Sequence, residues 1–181
     1  IGANLTRISL LSEVARQNAE NGNGKLLSSI AEIARESVAS MNDIVWTITP
    51  EHDSLLDLTR RMRQHAEEVF ALRDVDLEFN APAEDLKLSV GLRRDLLLIF
   101  KEAVNNAAKH SDCTKVLIDF KVENSCLKLQ IKDDGKGFDS SENYDGQGLR
   151  SMSRRAEYLG GTLLINSDDG TTVKFEVNLS K

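Results

Sequence analysis

The chain has 181 residues, which allows one large domain or two small ones. It carries 23 Lys and Arg against 29 Asp and Glu, and this net charge of −6 argues against a nucleic acid partner. No apolar run approaches the roughly 20 residues of a membrane span, and no signal peptide opens the sequence. The two cysteines, Cys113 and Cys126, match no metal-ligand spacing. We therefore expect a cytoplasmic protein whose present segment makes no direct membrane contact, whether or not a longer protein carries an anchor.

The first 50 residues show apolar side chains at helical spacing, in two stripes. An Asn-Gly-Asn-Gly breaker at 21–24 separates the first stripe from the second, which runs from Leu27 to Ile48. Pro50 ends the second helix because it has no backbone N–H to donate. Two helices cannot enclose both stripes alone, so we predict that residues 1–50 form an antiparallel helical hairpin that dimerises into a four-helix bundle.

A third helix is predicted after a short polar link, with Asp53 or Ser54 as its N-cap. The apolar face predicted for this helix comprises Leu55, Leu58, Met62, Val69 and Leu72. The helix opens a second domain, residues 51–181.

From residue 75 the apolar period changes to two, which is typical of strands. Four strands are predicted, around residues 75–79, 116–120, 127–131 and 173–179. Helices at about 89–110 and 148–159 lie between them. Because alternating strands bury one face of a sheet, we predict an α+β fold in which residues 71–181 form a two-layer α/β sandwich.

The long helix carries a polar cluster beside its apolar face. Glu102, Asn106, Lys109 and His110 follow at i, i+4, i+7 and i+8, on or near one side of the helix. Such a set suits a metal-bound polyphosphate: the Asn106 amide oxygen could bind Mg²⁺, Lys109 could contact phosphate, and Glu102 could accept a proton from a nucleophile.

Two glycine-containing loops follow. In the first, Asp133 ends an apolar strand and precedes Gly135 and Gly137, so the backbone can approach a ligand while the carboxylate accepts from an exocyclic amine such as that of adenine. In the second, Gly146-Gln-Gly148-Leu149-Arg150 opens a helix, where free N–H groups favour anions. The polar segment 139–147 is predicted to be a mobile lid.

Taken singly, each of these patterns also fits an ordinary feature: a solvated helix face, a glycine turn or a flexible surface loop. Neither a Walker loop nor a complete G-x-G-x-x-G motif is present.

The order of the patterns is more specific than any one of them. An E-x-x-x-N helix, D-x-G-x-G after a strand, G-x-G-L opening a helix, and Gly170-Thr171 before the last strand resemble the gyrase, chaperone, histidine-kinase and MutL (GHKL) ATP-binding superfamily. The resemblance implies a Bergerat-type sandwich that binds ATP and Mg²⁺. It implies that Asn106 binds the metal, that Asp133 reads adenine, and that Thr171 supports the adenine contact. The nucleotide and lid positions that it implies are Gly135, Gly137, Gly146, Gly148 and Leu149, with Lys109, His110 and Arg150 as helpers.

The N-terminal part resembles one subclass of sensor histidine kinases. Ile1-Gly-Ala-Asn-Leu is similar to the sequence after an H-D-x-[IVL]-G phosphoacceptor box, and Ile-Val-Trp46-Thr-Ile-Thr-Pro50 to the end of the second dimerisation helix. The resemblance would place the phosphoacceptor histidine three residues before Ile1. Ala3 stands where many relatives have Gln or His, so phosphatase activity by that route is not expected.

The resemblance therefore implies an ATP-dependent protein-histidine kinase core that acts as a homodimer through residues 1–50. The γ-phosphoryl group would pass to a histidine, with Glu102 orienting or deprotonating the imidazole, and then to an aspartate in the receiver domain of a response regulator. Two alternatives remain open at this point: a non-catalytic nucleotide-binding dimerisation module, and another GHKL-type kinase or ATPase with a different acceptor.

Overall fold

A computed structural model describes residues 6, 8, 10–12, 14–15, 24–82, 85–137 and 147–179. The chain divides into two compact units, Ile1–Thr49 and Pro50–Lys181.

The first unit contains the long helix α1, Gly24–Ile48, and helical backbone at the described positions between residues 6 and 15. Helix α1 ends just before Pro50, as predicted from the missing proline N–H. The turn of the predicted hairpin falls on residues 16–23, which lie outside the described residues, so the hairpin stays a prediction.

The second unit begins with a 3-10 turn, Pro50–His52. Its helices are α2 (Leu55–Phe70), α3 (Val90–His110) and α4 (Gln147–Tyr158). Its strands are β1 (Asp76–Asn80), β2 (Lys115–Glu123), β3 (Cys126–Asp133), β4 (Thr162–Asn166) and β5 (Thr172–Asn178).

The five strands form one mixed sheet in the order β1-β2-β3-β5-β4. Strand β1 pairs with β2 in parallel, and α3 connects the two; the other three pairings are antiparallel. Alternate residues of the central strands are buried, whereas Lys174, Glu176 and Asn178 on β5 are exposed. One face of the sheet therefore meets the helices, and the predicted α+β class is confirmed.

Apolar side chains from the helices and the sheet form the core of this unit. Its fully or nearly fully buried members include Leu55, Leu58, Met62, Leu96, Phe100, Val104, Ile118, Phe120, Leu127, Leu129 and Phe175. Helices α2 and α3 both begin at a serine N-cap: the Ser54 hydroxyl accepts from the backbone N–H of Asp57, and that of Ser89 from Leu92.

One expectation about this unit was wrong, and one strand was missed. Helix α2 ends at Phe70, which is buried, whereas Leu72 lies beyond the helix and is 100% exposed, so it is not part of the apolar face. Strand β4 was not predicted, because its sequence Thr-Leu-Leu-Ile-Asn has three consecutive apolar residues rather than an alternating pattern.

Candidate functional site

A cavity of about 650 Å³ opens between the last turns of α3, the first turns of α4 and the ends of β3 and β5. This volume lies within the range of about 300–1,000 Å³ that is typical of small-molecule sites. Of the predicted site residues, those that line the cavity are Glu102, Asn106, Lys109, His110, Asp133, Gly137, Gly148, Leu149 and Thr171.

Two of the predicted site residues that the structure describes, Gly135 and Arg150, do not line the cavity. Gly135 lies behind Asp133 and donates its backbone N–H to that carboxylate. Arg150 is exposed on the first turn of α4. Gly146 lies outside the described residues, as does most of the predicted lid at 139–147.

Helix α3 presents its polar residues to the cavity because its opposite side is held in the core. Leu96, Phe100 and Ala103 are buried, which leaves Glu102 and Asn106 half-buried at the border of the apolar face. Lys109 and His110 occupy the last turn and are exposed. The helix therefore brings one carboxylate, one amide and two basic side chains to the same opening.

Asp133 is the buried carboxylate of the site, with 4% of its surface exposed. Its Oδ1 accepts from the backbone N–H of Gly135 at 3.0 Å and of Thr171 at 3.2 Å. In return, the Asp133 N–H donates to the Thr171 carbonyl at 2.9 Å. Oδ2 receives no hydrogen bond from the described residues, so it is the acceptor that Asp133 can offer to a ligand.

The wall beside Asp133 is apolar and comes from three neighbouring strands. Ile131 on β3 is aligned with Val173 on β5, which is aligned with Ile165 on β4. Met152 of α4, which is 1% exposed, adds to the same lining. An apolar wall with one fixed acceptor at its edge suits a planar ring that carries an exocyclic amine.

The sequence did not predict these four apolar residues as part of the site. The alternating pattern predicted Ile131 and Val173 only as core residues, and Ile165 lies on the strand that was not predicted. Their alignment across β3, β5 and β4 depends on strand order, and a single sequence does not reveal that order.

Gly148 lies in close contact with Glu102 at the start of α4. A Cβ at position 148 would overlap the Glu102 Oε1 atom, so a larger residue there would force the Glu102 side chain to move. The first turn of α4 and the middle of α3 therefore lie close together at the cavity.

The loop that follows β3 is fixed by the second aspartate of the Asp133-Asp134 pair. Asp134 accepts from the backbone N–H groups of Thr114 and Lys115 and from the Thr114 hydroxyl, each at 2.8 Å. These hydrogen bonds, with that from the Lys115 N–H as the largest contribution, hold the pKa of Asp134 below its ordinary value. The Lys136 N–H also donates to the Ser111 carbonyl at 2.8 Å, which ties the loop to the end of α3.

The described residues contain no group of three or more His, Cys, Asp and Glu side chains that could hold a metal ion by themselves. Among them there is also no helix of the length and apolar character needed to span a membrane.

Comparison with known proteins identifies the class. Residues 91–181 match the model of the family described as histidine kinase-, DNA gyrase B- and HSP90-like ATPase. Because that match covers half of the chain, the chain belongs to this family, and residues 91–181 form an ATPase domain, which implies ATP binding.

The curated relatives include a sensor histidine kinase and a sensor protein. The chain is 25% identical over 183 residues to the sensor histidine kinase LiaS of Bacillus subtilis, covering 99% of this chain and 50% of that protein. It is 34% identical over 116 residues to the sensor protein VraS of Staphylococcus aureus, covering 59% of this chain and 33% of that protein. The chain thus spans half or less of the curated relatives it matches. The predicted relationship to sensor histidine kinases with a GHKL ATP-binding domain is confirmed.

Solved structures show the same fold at low identity. The histidine kinase domain of the Erythrobacter litoralis EL346 blue-light activated histidine kinase aligns with a TM-score of 0.64 at 16% identity, covering 99% of this chain and 95% of that one. The Acinetobacter baumannii histidine kinase AdeS aligns with a TM-score of 0.69 at 13% identity, covering 98% and 96%.

Proposed function

We propose that this chain is the core of a two-component histidine kinase. Residues 51–181 bind Mg²⁺ and ATP, and residues 1–50 supply the dimerisation and phosphotransfer hairpin. The γ-phosphoryl group passes to a histidine, and then to an aspartate in the receiver domain of a response regulator. The kinase works in the cytoplasm, whether or not a longer protein is anchored in a membrane.

One observation carries this proposal: α3, β3 and α4 bring complementary groups to a single cavity. Asn106, Asp133 and Gly148 come from three separated segments and line the same space. Asp133 offers a free acceptor beside an apolar wall, where the adenine ring fits. Lys109 and His110 line the same cavity from the last turn of α3, and their basic side chains suit the negative charge of phosphates.

The donor set also fits Mg²⁺, although the protein provides few ligands. Mg²⁺ usually keeps several waters and takes one or two protein oxygens together with substrate phosphates. The Asn106 amide oxygen is such a ligand, and Glu102 lies one helical turn away on the same helix. When bound, the ion would neutralise the phosphate charge that phosphoryl transfer must disperse.

Glu102 is the candidate catalytic residue. It is half-buried, lines the cavity and lies between the core and the opening, where an incoming imidazole could reach it. Its carboxylate would orient the imidazole or accept its proton as the phosphoryl group arrives. Arg150 does not line the cavity, so we assign it at most a contact with phosphate from the exposed first turn of α4.

The proposed homodimer is supported by the surface of α1. Several large apolar residues of this helix are exposed in the single chain: Leu27, Val38, Met41, Ile44, Val45 and Ile48. An exposed apolar face of this extent marks a surface that a second chain can cover. A four-helix bundle of two hairpins would bury it.

The alternative, a non-catalytic binding module, predicts a different response to substitution. Asn106→Ala should weaken Mg²⁺-dependent ATP binding by about 10- to 100-fold, because it removes the protein's amide ligand. Asn105→Ala is the matched control, since it removes the neighbouring amide, which does not line the cavity. Isothermal titration calorimetry with and without Mg²⁺ measures both variants.

Kinase activity itself is tested by labelling with γ-³²P-ATP. The protein used should carry the upstream histidine that the family resemblance places before Ile1. Acid-labile phosphate on that histidine, lost in Glu102→Gln but retained in Glu123→Gln, would support the kinase. ATP binding without any labelling would support the non-catalytic module instead.

A further inference from the structure

An ion pair between a buried carboxylate and a partly exposed guanidinium joins α3 to α4 away from the cavity. Asp95 on α3 is 2% exposed. Its Oδ1 accepts from the Arg155 guanidinium of α4 at 3.0 Å, and its two oxygens accept from Arg94 at 3.1 and 2.9 Å. Neither Asp95 nor Arg155 lines the cavity.

This ion pair lies on the same two helices as the close approach described at the cavity. At the cavity, Gly148 lies against Glu102. Arg155 lies seven residues after Gly148 on α4, and Asp95 lies seven residues before Glu102 on α3. The helices therefore run antiparallel with matched spacing, and the contacts lie about two turns, or roughly 10 Å, apart along both axes.

Helix α4 has few other attachments to the core. Of its twelve residues, only Met152 and Ala156 are buried. Two small or medium apolar side chains leave rotation and sliding of a short helix weakly restrained, because burial is the main force that holds a helix in place. A directional contact at the far end supplies the missing restraint, and a charge-assisted Arg–carboxylate bond has that directionality.

The position of α4 decides the shape of the cavity. Gly148, Leu149 and Met152 all belong to α4 and all line the site. A shift of the helix would move all three away from the wall formed by the sheet.

We propose that Asp95 and Arg155 form a positioning pair, which holds α4 in the register on α3 that nucleotide binding requires. The inference rests on the proposed nucleotide site and adds two residues to it that touch no nucleotide. Arg94 keeps the Asp95 carboxylate partnered when Arg155 is removed, so the loss of Arg155 does not leave a buried charge alone.

The test compares two substitutions in adjacent positions of α4. Arg155→Met removes the guanidinium and keeps most of the side-chain length. Arg154→Met makes the same chemical change at the neighbouring exposed arginine and serves as the control. The dissociation constant for Mg²⁺ and ADP is measured by calorimetry at a temperature where thermal unfolding shows each variant to be folded.

We expect Arg155→Met to weaken ADP binding about 3- to 30-fold, which is the usual size of an effect transmitted through a packed element. Arg154→Met should leave the affinity unchanged, and Arg155→Lys should restore part of it. Amide exchange in α4 should be faster in Arg155→Met than in the control. Asp95→Asn, which keeps the shape of the buried side chain, should reproduce the loss if Arg155→Met does not fold.

Equal ADP affinities for the parent chain, Arg155→Met and Asp95→Asn would overturn the positioning pair while leaving the nucleotide site intact. A parent chain that does not bind ADP would instead overturn the proposed function, and the pair with it. The titration of the parent chain alone separates these two outcomes.

Discussion

Replacing Asp133 with asparagine tests whether this carboxylate makes the site prefer adenine over guanine nucleotides. In the structure Oδ1 is held by two backbone N–H groups, and Oδ2 is the acceptor left for a ligand. In Asp133→Asn the amide oxygen can take the place of Oδ1, because both of its neighbours there are donors. The amide NH₂ then replaces Oδ2, and a donor faces the exocyclic amine of adenine where an acceptor is needed.

The size of the effect follows from that exchange. A hydrogen bond to a charged acceptor contributes about 1.5–3 kcal/mol, and its loss would weaken ATP binding about 10- to 150-fold. Guanine presents a carbonyl oxygen where adenine presents its amine, so GTP binding should fall less or improve. The preference for ATP over GTP should therefore narrow in the variant.

Two further variants make the assay specific. Asp134→Asn changes the neighbouring carboxylate, which fixes the loop without lining the cavity, and should leave the ATP-to-GTP preference unchanged. Asp133→Ala removes the acceptor of both backbone N–H groups, at a cost to folding of about 1–3 kcal/mol for each group that water cannot reach. The free energy of unfolding should thus fall in Asp133→Ala and change little in Asp133→Asn. Calorimetric titrations with both nucleotides in which Asp133→Asn lost ATP and GTP affinity equally would refute the assigned role.

Two other predictions follow from the close contacts of the site. Gly148→Ala should weaken nucleotide binding while far-ultraviolet circular dichroism stays unchanged, because its Cβ would displace Glu102 or the first turn of α4. The control is Gly91→Ala, at an α3 glycine with no heavy atom within 4 Å of the added Cβ. Equal nucleotide binding by both variants would contradict the close contact between Gly148 and Glu102. The Asp134 carboxyl should titrate below the usual aspartate value of about 4 in an NMR pH series, since backbone and hydroxyl donors stabilise its charged form. The charged Asp134 carboxylate then stabilises the fold fully above its unfolded-state pKa, and this stabilisation is lost as pH falls through the lower folded-state pKa. A titration midpoint for Asp134 at or above the ordinary aspartate value would contradict the hydrogen bonds of this loop.

The sequence predicted the elements with strong periodicity. The long helix was expected at about 89–110 and is found at Val90–His110, and the serine cap of α2 was one of the two proposed. The polar cluster of α3 was also predictable, because helical spacing alone places Glu102, Asn106 and Lys109 on one side. Helix periodicity, capping preferences and side-chain spacing depend on neighbouring residues only, so the sequence alone predicts these features.

What the sequence did not predict depends on contacts between distant segments. The apolar wall arises because β5 lies between β3 and β4, which brings Ile165 beside Val173. The Asp95–Arg155 bond spans 60 residues, so the spacing within either helix does not predict that the two residues meet. The error at Leu72 has the same origin: helical spacing continued past Phe70, but the core ended there.

The central claim is that groups from α3, β3 and α4 form one adenine-nucleotide site. An NMR titration of the ¹⁵N-labelled chain with Mg²⁺ and ATP tests it most directly. The account predicts saturable shifts concentrated in the amides around Asn106, Gly135, Gly148 and Thr171. No shift at millimolar ATP, or shifts centred on other surfaces of the second unit, would contradict it.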